Sequence, residues 1–109
     1  MSLKTIQDDA EKWTSQFTPQ YWPPHEIIAR LAEEIGELAR EVNHLFGTKK
    51  KKASEKENNL GQEIADILFT VTCMANSQKI DLQEEWDRMV NEKLYSRDRN
   101  RYEKKESAQ

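Results

Sequence analysis

The chain reads as an all-α protein with a four-helix bundle-like protomer. Apolar residues recur at steps of three and four in four successive segments, proline and glycine punctuate the gaps, and no segment alternates apolar and polar residues as a half-buried strand does. Helices are expected at about 1–16, 24–46, 58–78 and 81–102. With 109 residues and no internal repeat they form one domain, 1–109.

Leu3, Ile6, Ala10, Trp13 and Phe17 carry the stripe of the first helix, which the run from Thr18 to Pro24 stops. Pro23 and Pro24 lack the donors a helix interior needs but are tolerated in a first turn, so the second helix starts there, with Ile27, Leu31, Ile35, Leu38, Val42 and Leu45 on its stripe. Gly47 ends it. The stretch from Lys49 to Glu57 has no periodicity and no apolar anchor, which predicts a flexible basic loop at about 47–57. The third helix carries Leu60, Ile64, Ile67, Leu68, Val71, Met74 and Ala75, while Phe69 projects roughly 180° from Leu60, so cover is expected on more than one face. Asp81 is an N-cap for a fourth helix with Leu82, Trp86, Met89 and Val90, and beyond Tyr95 a frayed polar tail is expected.

The composition is polar, 36% hydrophobic and 34% charged. A core of that size is modest, and pairing with a second copy, as a homodimer or homotetramer, would add burial. The lone Cys73, inside an apolar run, suits a buried thiol in a reducing cytoplasm and has no neighbour that would activate it as a nucleophile. The N-terminus has no apolar signal core, and no stretch reaches the ~20 apolar residues a bilayer span requires, so a cytoplasmic location without membrane contact is expected.

Function is written in four carboxylates, Glu34 and Glu37 on the second helix and Glu63 and Asp66 on the third, each pair at the i, i+3 spacing that points both groups the same way. With Ile27 at 0° the apolar stripe of the second helix centres at roughly 55°; Glu33 falls at roughly 240°, plain surface, while Glu34 at roughly 340° and Glu37 at roughly 280° sit on the shoulder. Asp66, a poor helix-interior residue, shares a strip with Glu63, Thr70 and Cys73 beside Phe69; in a purely structural role its partner would be Arg30 or Arg40. Four oxygen donors that repel one another suit a hard cation that keeps waters and accepts phosphates, Mg2+ with Mn2+ as a substitute. Zinc lacks a motif, because His25 and His44 are isolated and there is no second cysteine.

Together, Glu33-Glu34-Ile35-Gly36-Glu37 followed by Glu63-Ile64-Ala65-Asp66 resembles the EExxE and ExxD pair of the MazG-type nucleoside triphosphate pyrophosphohydrolases, members of the all-α NTP pyrophosphatases. The resemblance covers most of the chain. It implies Mg2+-dependent cleavage of a nucleoside triphosphate to the monophosphate and pyrophosphate in nucleotide-pool house-cleaning, with Glu34, Glu37, Glu63 and Asp66 as metal ligands. Lys93 and Arg97 match a K-x-x-x-R pattern that by resemblance grips the triphosphate, and as i, i+4 neighbours they can supply cations to such a site; surface ion pairs with Glu92 and Asp98 are the competing role. Glu34, near the core, is the expected catalytic group that orients the attacking water. For the base, Tyr21 and Trp22 in the proline-flanked turn are the expected wall, with a hydrophobic staple as their competing role, and Phe17 is a further candidate; Trp13 is expected to pack in the core.

A rival reading is a helical dimerisation or protein-interaction module without catalysis. Nucleic-acid binding by Lys49 to Lys52 is less favoured, since no aromatic residues interleave with the lysines to stack on bases.

Overall fold

A computed structural model describes residues 2–47 and 60–105; the basic stretch from Lys49 to Lys52, the onset of the third helix at 58 and the last four residues lie outside the described residues. The described residues are helical with no strand. Helix α1 (Leu3–Thr14) is capped by Ser2, whose hydroxyl accepts from the Thr5 amide at 3.2 Å. It is shorter than the expected 1–16, the stripe running on into Phe17 after the backbone has left the helix. Helix α2 (Pro24–Phe46) starts on its proline and stops at Gly47, whose amide donates to Asn43 O at 2.9 Å. Gly47 is extended rather than left-handed; its role is close approach, since a Cβ there would lie 2.6 Å from Asn43 O.

Helix α3 (Leu60–Ser77) packs against both α2 and α1, while Phe69, whose angle suggested cover on a second face, stays 42% exposed. Lys79, at φ 57°, turns the chain out of α3, and Asp81 caps α4 (Leu82–Arg88) by accepting from the Glu84 amide at 3.1 Å. A single helix over 81–102 is not formed. After seven residues the backbone widens into a π-helix, Met89–Arg97, with the Asp98 amide bonded to Lys93 O at 2.8 Å. This segment buries no side chain and its main contact is α4, so no packed partner holds it to the tighter α spacing.

Polar clasps fasten α1 to the far end of α3. Gln7 Nε2 donates to Asn76 Oδ1 (2.7 Å) and Ile80 O (2.8 Å), Gln7 Oε1 accepts from the Leu82 amide (2.9 Å), and Asn76 Nδ2 returns a bond to Gln7 O (3.0 Å). The apolar core is small: among the described residues only Ala10, Ile27 and Ala75 are buried apolar side chains. The expected stripe residues Ile35, Val42, Leu45, Ile64 and Leu68 are exposed instead, because the stripes of α2 and α3 are wider than the one seam between these helices covers.

Candidate metal and nucleotide site

The α2–α3 seam brings acids together. Glu34, Glu37 and Glu63 each offer an oxygen, all within 4.8 Å of one another. Glu34 and Glu63 are each 3% exposed, whereas Glu37 opens to solvent. Asp66, a poor helix-interior residue, is exposed too, and Glu63, one turn earlier, is the buried member of that pair. Glu41, a further turn along α2 from Glu37, is buried on the same seam, and sequence reasoning missed it. The i, i+4 step from Glu37 to Glu41 was the signal that could have found it.

Arg30 pairs with Glu34 Oε1 at 2.7 Å and with Glu33 at 3.4 Å, so this one of the two guanidinium groups considered as structural partners for Asp66 goes to the second helix's own acids. That bond engages one oxygen only. Glu34 Oε2 and Glu63 Oε2 are buried without any hydrogen-bond partner. Burial raises the Glu34 pKa above the ordinary carboxylate value, Arg30 opposes this, and Glu37 and Asp66 add to it. Burial also raises Glu63, reinforced by Glu37, Asp66, Glu34 and Glu41. Two buried, unpartnered carboxylate oxygens amid further acids are a costly arrangement that a hard divalent cation would relieve, and the all-oxygen donor set fits such an ion.

A cavity of about 620 Å³ opens beside the acids. Glu34 and Asp66 line it, as do Trp13, Phe17, Trp22 and Phe69. Trp13 does not pack in the core as expected: it is 56% exposed and meets Phe17 edge-on, ring centroids 5.3 Å apart. The stripe of α1 outruns the surface that α3 covers, so its last aromatics become cavity wall. Trp22 is half exposed on this wall. Tyr21 is also there, but its hydroxyl donates to the Glu11 carboxylate and accepts from Asn76 Nδ2 at 3.1 Å. Burial, then Glu11, raises the Tyr21 pKa, so the phenol stays protonated.

Lys93 and Arg97 are not brought to the acids within this chain. Both are exposed on the π-helix, where Arg97 contacts Asp98 at 3.3 Å. His25 and His44 are not part of the oxygen cluster. Among the described residues no helix is long and apolar enough to cross a membrane.

Comparison with known proteins places the chain in a family. Residues 23–102 match the MazG nucleotide pyrophosphohydrolase domain. The YpjD protein of Bacillus subtilis (strain 168) is 45% identical over 105 residues, spanning 96% of this chain and 94% of its own. The crystal structure of YpjD superposes with a TM-score of 0.75 at 44% identity, covering 85% of this chain and 95% of that one. The crystal structure of the Bacillus-conserved MazG protein, a nucleotide pyrophosphohydrolase, gives 0.72 at 36% identity, covering 92% and 96%.

Proposed function

This chain belongs to the MazG nucleotide pyrophosphohydrolase family and is a hydrolase acting on phosphoric anhydrides; from that premise we propose that it converts a nucleoside triphosphate to the monophosphate and pyrophosphate with Mg2+, in house-cleaning of the cytoplasmic nucleotide pool. The observation that carries this reading is the pair of buried carboxylate oxygens, Glu34 Oε2 and Glu63 Oε2, left without partners in one acid cluster. A protein-interaction module would have no use for so costly a group.

Glu34, Glu37, Glu63 and Asp66 hold the ion, with Mn2+ able to replace Mg2+. The cation they would hold would supply positive charge to offset that on the phosphoryl oxygens. Glu34 is the catalytic carboxylate. Arg30 fixes its Oε1, so Oε2 is the oxygen that would both face the ion and orient a water, taking its proton as that water attacks the α-phosphorus and the α–β anhydride bond breaks, releasing pyrophosphate. Lys93 and Arg97 grip the phosphates from a second copy of the chain, because their own π-helix packs chiefly on α4. The base rests against the aromatic wall that carries Trp22, with Tyr21 in the same turn.

The test is pyrophosphate release across a panel of nucleoside triphosphates with and without Mg2+, for wild type and for Glu34→Ala and Asp66→Ala. Each substitution should lower kcat by about 100-fold or more while helical content stays the same. An active Asp66→Ala protein would remove that ligand from the assignment, and no release from any triphosphate would overturn the reading.

A further inference from the structure

Helix α2 starts at Pro24, directly after the turn that carries Trp22, and Ile27, Arg30 and Glu34 then line the cavity in that order, at steps of three and four that keep them on one face. Helix α3 approaches the acids from the other direction, with Cys73 and Phe69 on the cavity first, Asp66 last and Glu63 a turn beyond. Arg30 therefore lies between the aromatic end of the cavity and its acid end, one turn, or ~6 Å along the helix, short of Glu34. Among the described residues that line the cavity it is the one basic side chain, set against the two carboxylates Glu34 and Asp66. Its donors are not used up. Nη2 meets Glu34 Oε1 at 2.7 Å, whereas Nη1 reaches Glu33 at only 3.4 Å, a contact to an exposed acid that is worth little in water and is readily exchanged for another anion. No described residue accepts from Nε. A guanidinium presents five N–H groups in a planar fork matched to phosphate oxygens, so it can keep Glu34 on one edge and offer another to a ligand.

We propose that Arg30 is a phosphate-binding residue that holds the phosphate joined to the nucleoside, the one retained in the monophosphate, while the acid cluster serves the two that leave. This rests on the hydrolysis proposed above. A nucleotide with its base at the aromatic end brings its first phosphate past Arg30 on the way to the acids. That phosphate comes to rest close to Glu34 and Asp66, where a fixed cation offsets the repulsion between like charges. The bond to Glu34 makes the two side chains one unit: the guanidinium takes the oxygens of the α-phosphate, and Glu34 Oε2 stays turned to the water that attacks its phosphorus. Lys93 and Arg97 do not share this place, since both are exposed on the π-helix.

Titration calorimetry in MgCl2 separates the parts of the ligand without turnover. The probes are the common ribo- and deoxyribonucleoside monophosphates, the nucleoside of whichever binds wild type most tightly, and pyrophosphate alone. That monophosphate should bind wild type about tenfold or more tightly than its nucleoside. Arg30→Gln should weaken the monophosphate by roughly tenfold or more, with the nucleoside and pyrophosphate each within about threefold of wild type. Arg30→Lys, which keeps the charge and loses the fork, should fall between the two. Nucleoside binding needs a formed cavity, so it also reports that each variant is folded. The proposal is overturned by a monophosphate that binds wild type no better than its nucleoside, or by an Arg30→Gln protein that binds the monophosphate as wild type does. An equal loss for the nucleoside would make Arg30 a support of the cavity wall, and an equal loss for pyrophosphate would assign it to the acid cluster; either result also overturns it. If the monophosphate pattern holds but no triphosphate yields pyrophosphate, the hydrolase reading fails and the Arg30 contact stands.

Discussion

Glu63 shows most directly what a buried acid without a partner costs the fold. It is buried at the α2–α3 seam beside four other acids, Glu34, Glu37, Glu41 and Asp66, and one of its oxygens has no partner. Replacing it by glutamine removes the uncompensated charge while keeping the shape. Glu63→Gln should therefore melt a few degrees higher than wild type without metal and lose the stabilisation that MgCl2 gives wild type; differential scanning fluorimetry with EDTA and with MgCl2 reads both. A variant melting lower under EDTA and still responding to Mg2+ would show that the charge is satisfied. The pH dependence has a definite sign. Glu63 and Glu34 both have pKa values raised in the folded state, so the folded protein binds more protons than the unfolded chain. Below the ordinary value of 4.5 both states are protonated and these groups cost nothing; as pH rises from 4.5 through the raised values the metal-free fold loses stability, and above them the loss is constant. Melting curves under EDTA should show this decline, and Glu63→Gln should flatten it. A slope identical in the variant would remove Glu63 as its source.

Among the elements, the π-helix has the least to hold it and the most to contribute. Met89–Arg97 buries no side chain, and Arg97 has only an exposed contact to Asp98, worth little in water. Lys93→Ala and Arg97→Ala should leave the melting temperature within about a degree of wild type yet raise KM for the triphosphate by roughly tenfold, as expected for lost charge-assisted contacts to phosphate. Unchanged KM in both would return these residues to a surface role. Helix α4 before it and Gly47 at the end of α2 illustrate the opposite case, where a cap or a close approach sets the boundary from the local sequence.

For the protomer, the balance of covered and bare apolar surface is decisive. Among the described residues three small or medium apolar side chains are buried, while Ile35, Val42, Leu45 and Phe46 on α2 and Ile64, Leu68 and Val71 on α3 stay open. Monomers seldom leave so large an apolar face uncovered. On the function proposed above, a second copy would cover this face and bring Lys93 and Arg97 to the acids. Sedimentation should show a dimer or tetramer whose melting temperature rises with concentration, and Val42→Glu, which places a charge on this face, should shift it toward monomer and lower activity with it. A wild-type monomer whose melting is independent of concentration would sink this arrangement.

Helix number, order and most boundaries were legible in the chain itself, because proline, caps and a 3.6-residue period act over neighbours a few positions away. Local spacing likewise put Glu34 with Glu37 and Glu63 with Asp66. Burial was a different matter. That Glu63 rather than Asp66 is enclosed, that Glu41 joins the seam, that Trp13 faces a cavity and that Tyr21 is spent on Glu11 and Asn76 all depend on how α1 and α2 lie against α3. An angle on one helix states which way a side chain points; whether anything stands there is settled by a segment tens of residues distant, and no period within a single helix carries that information.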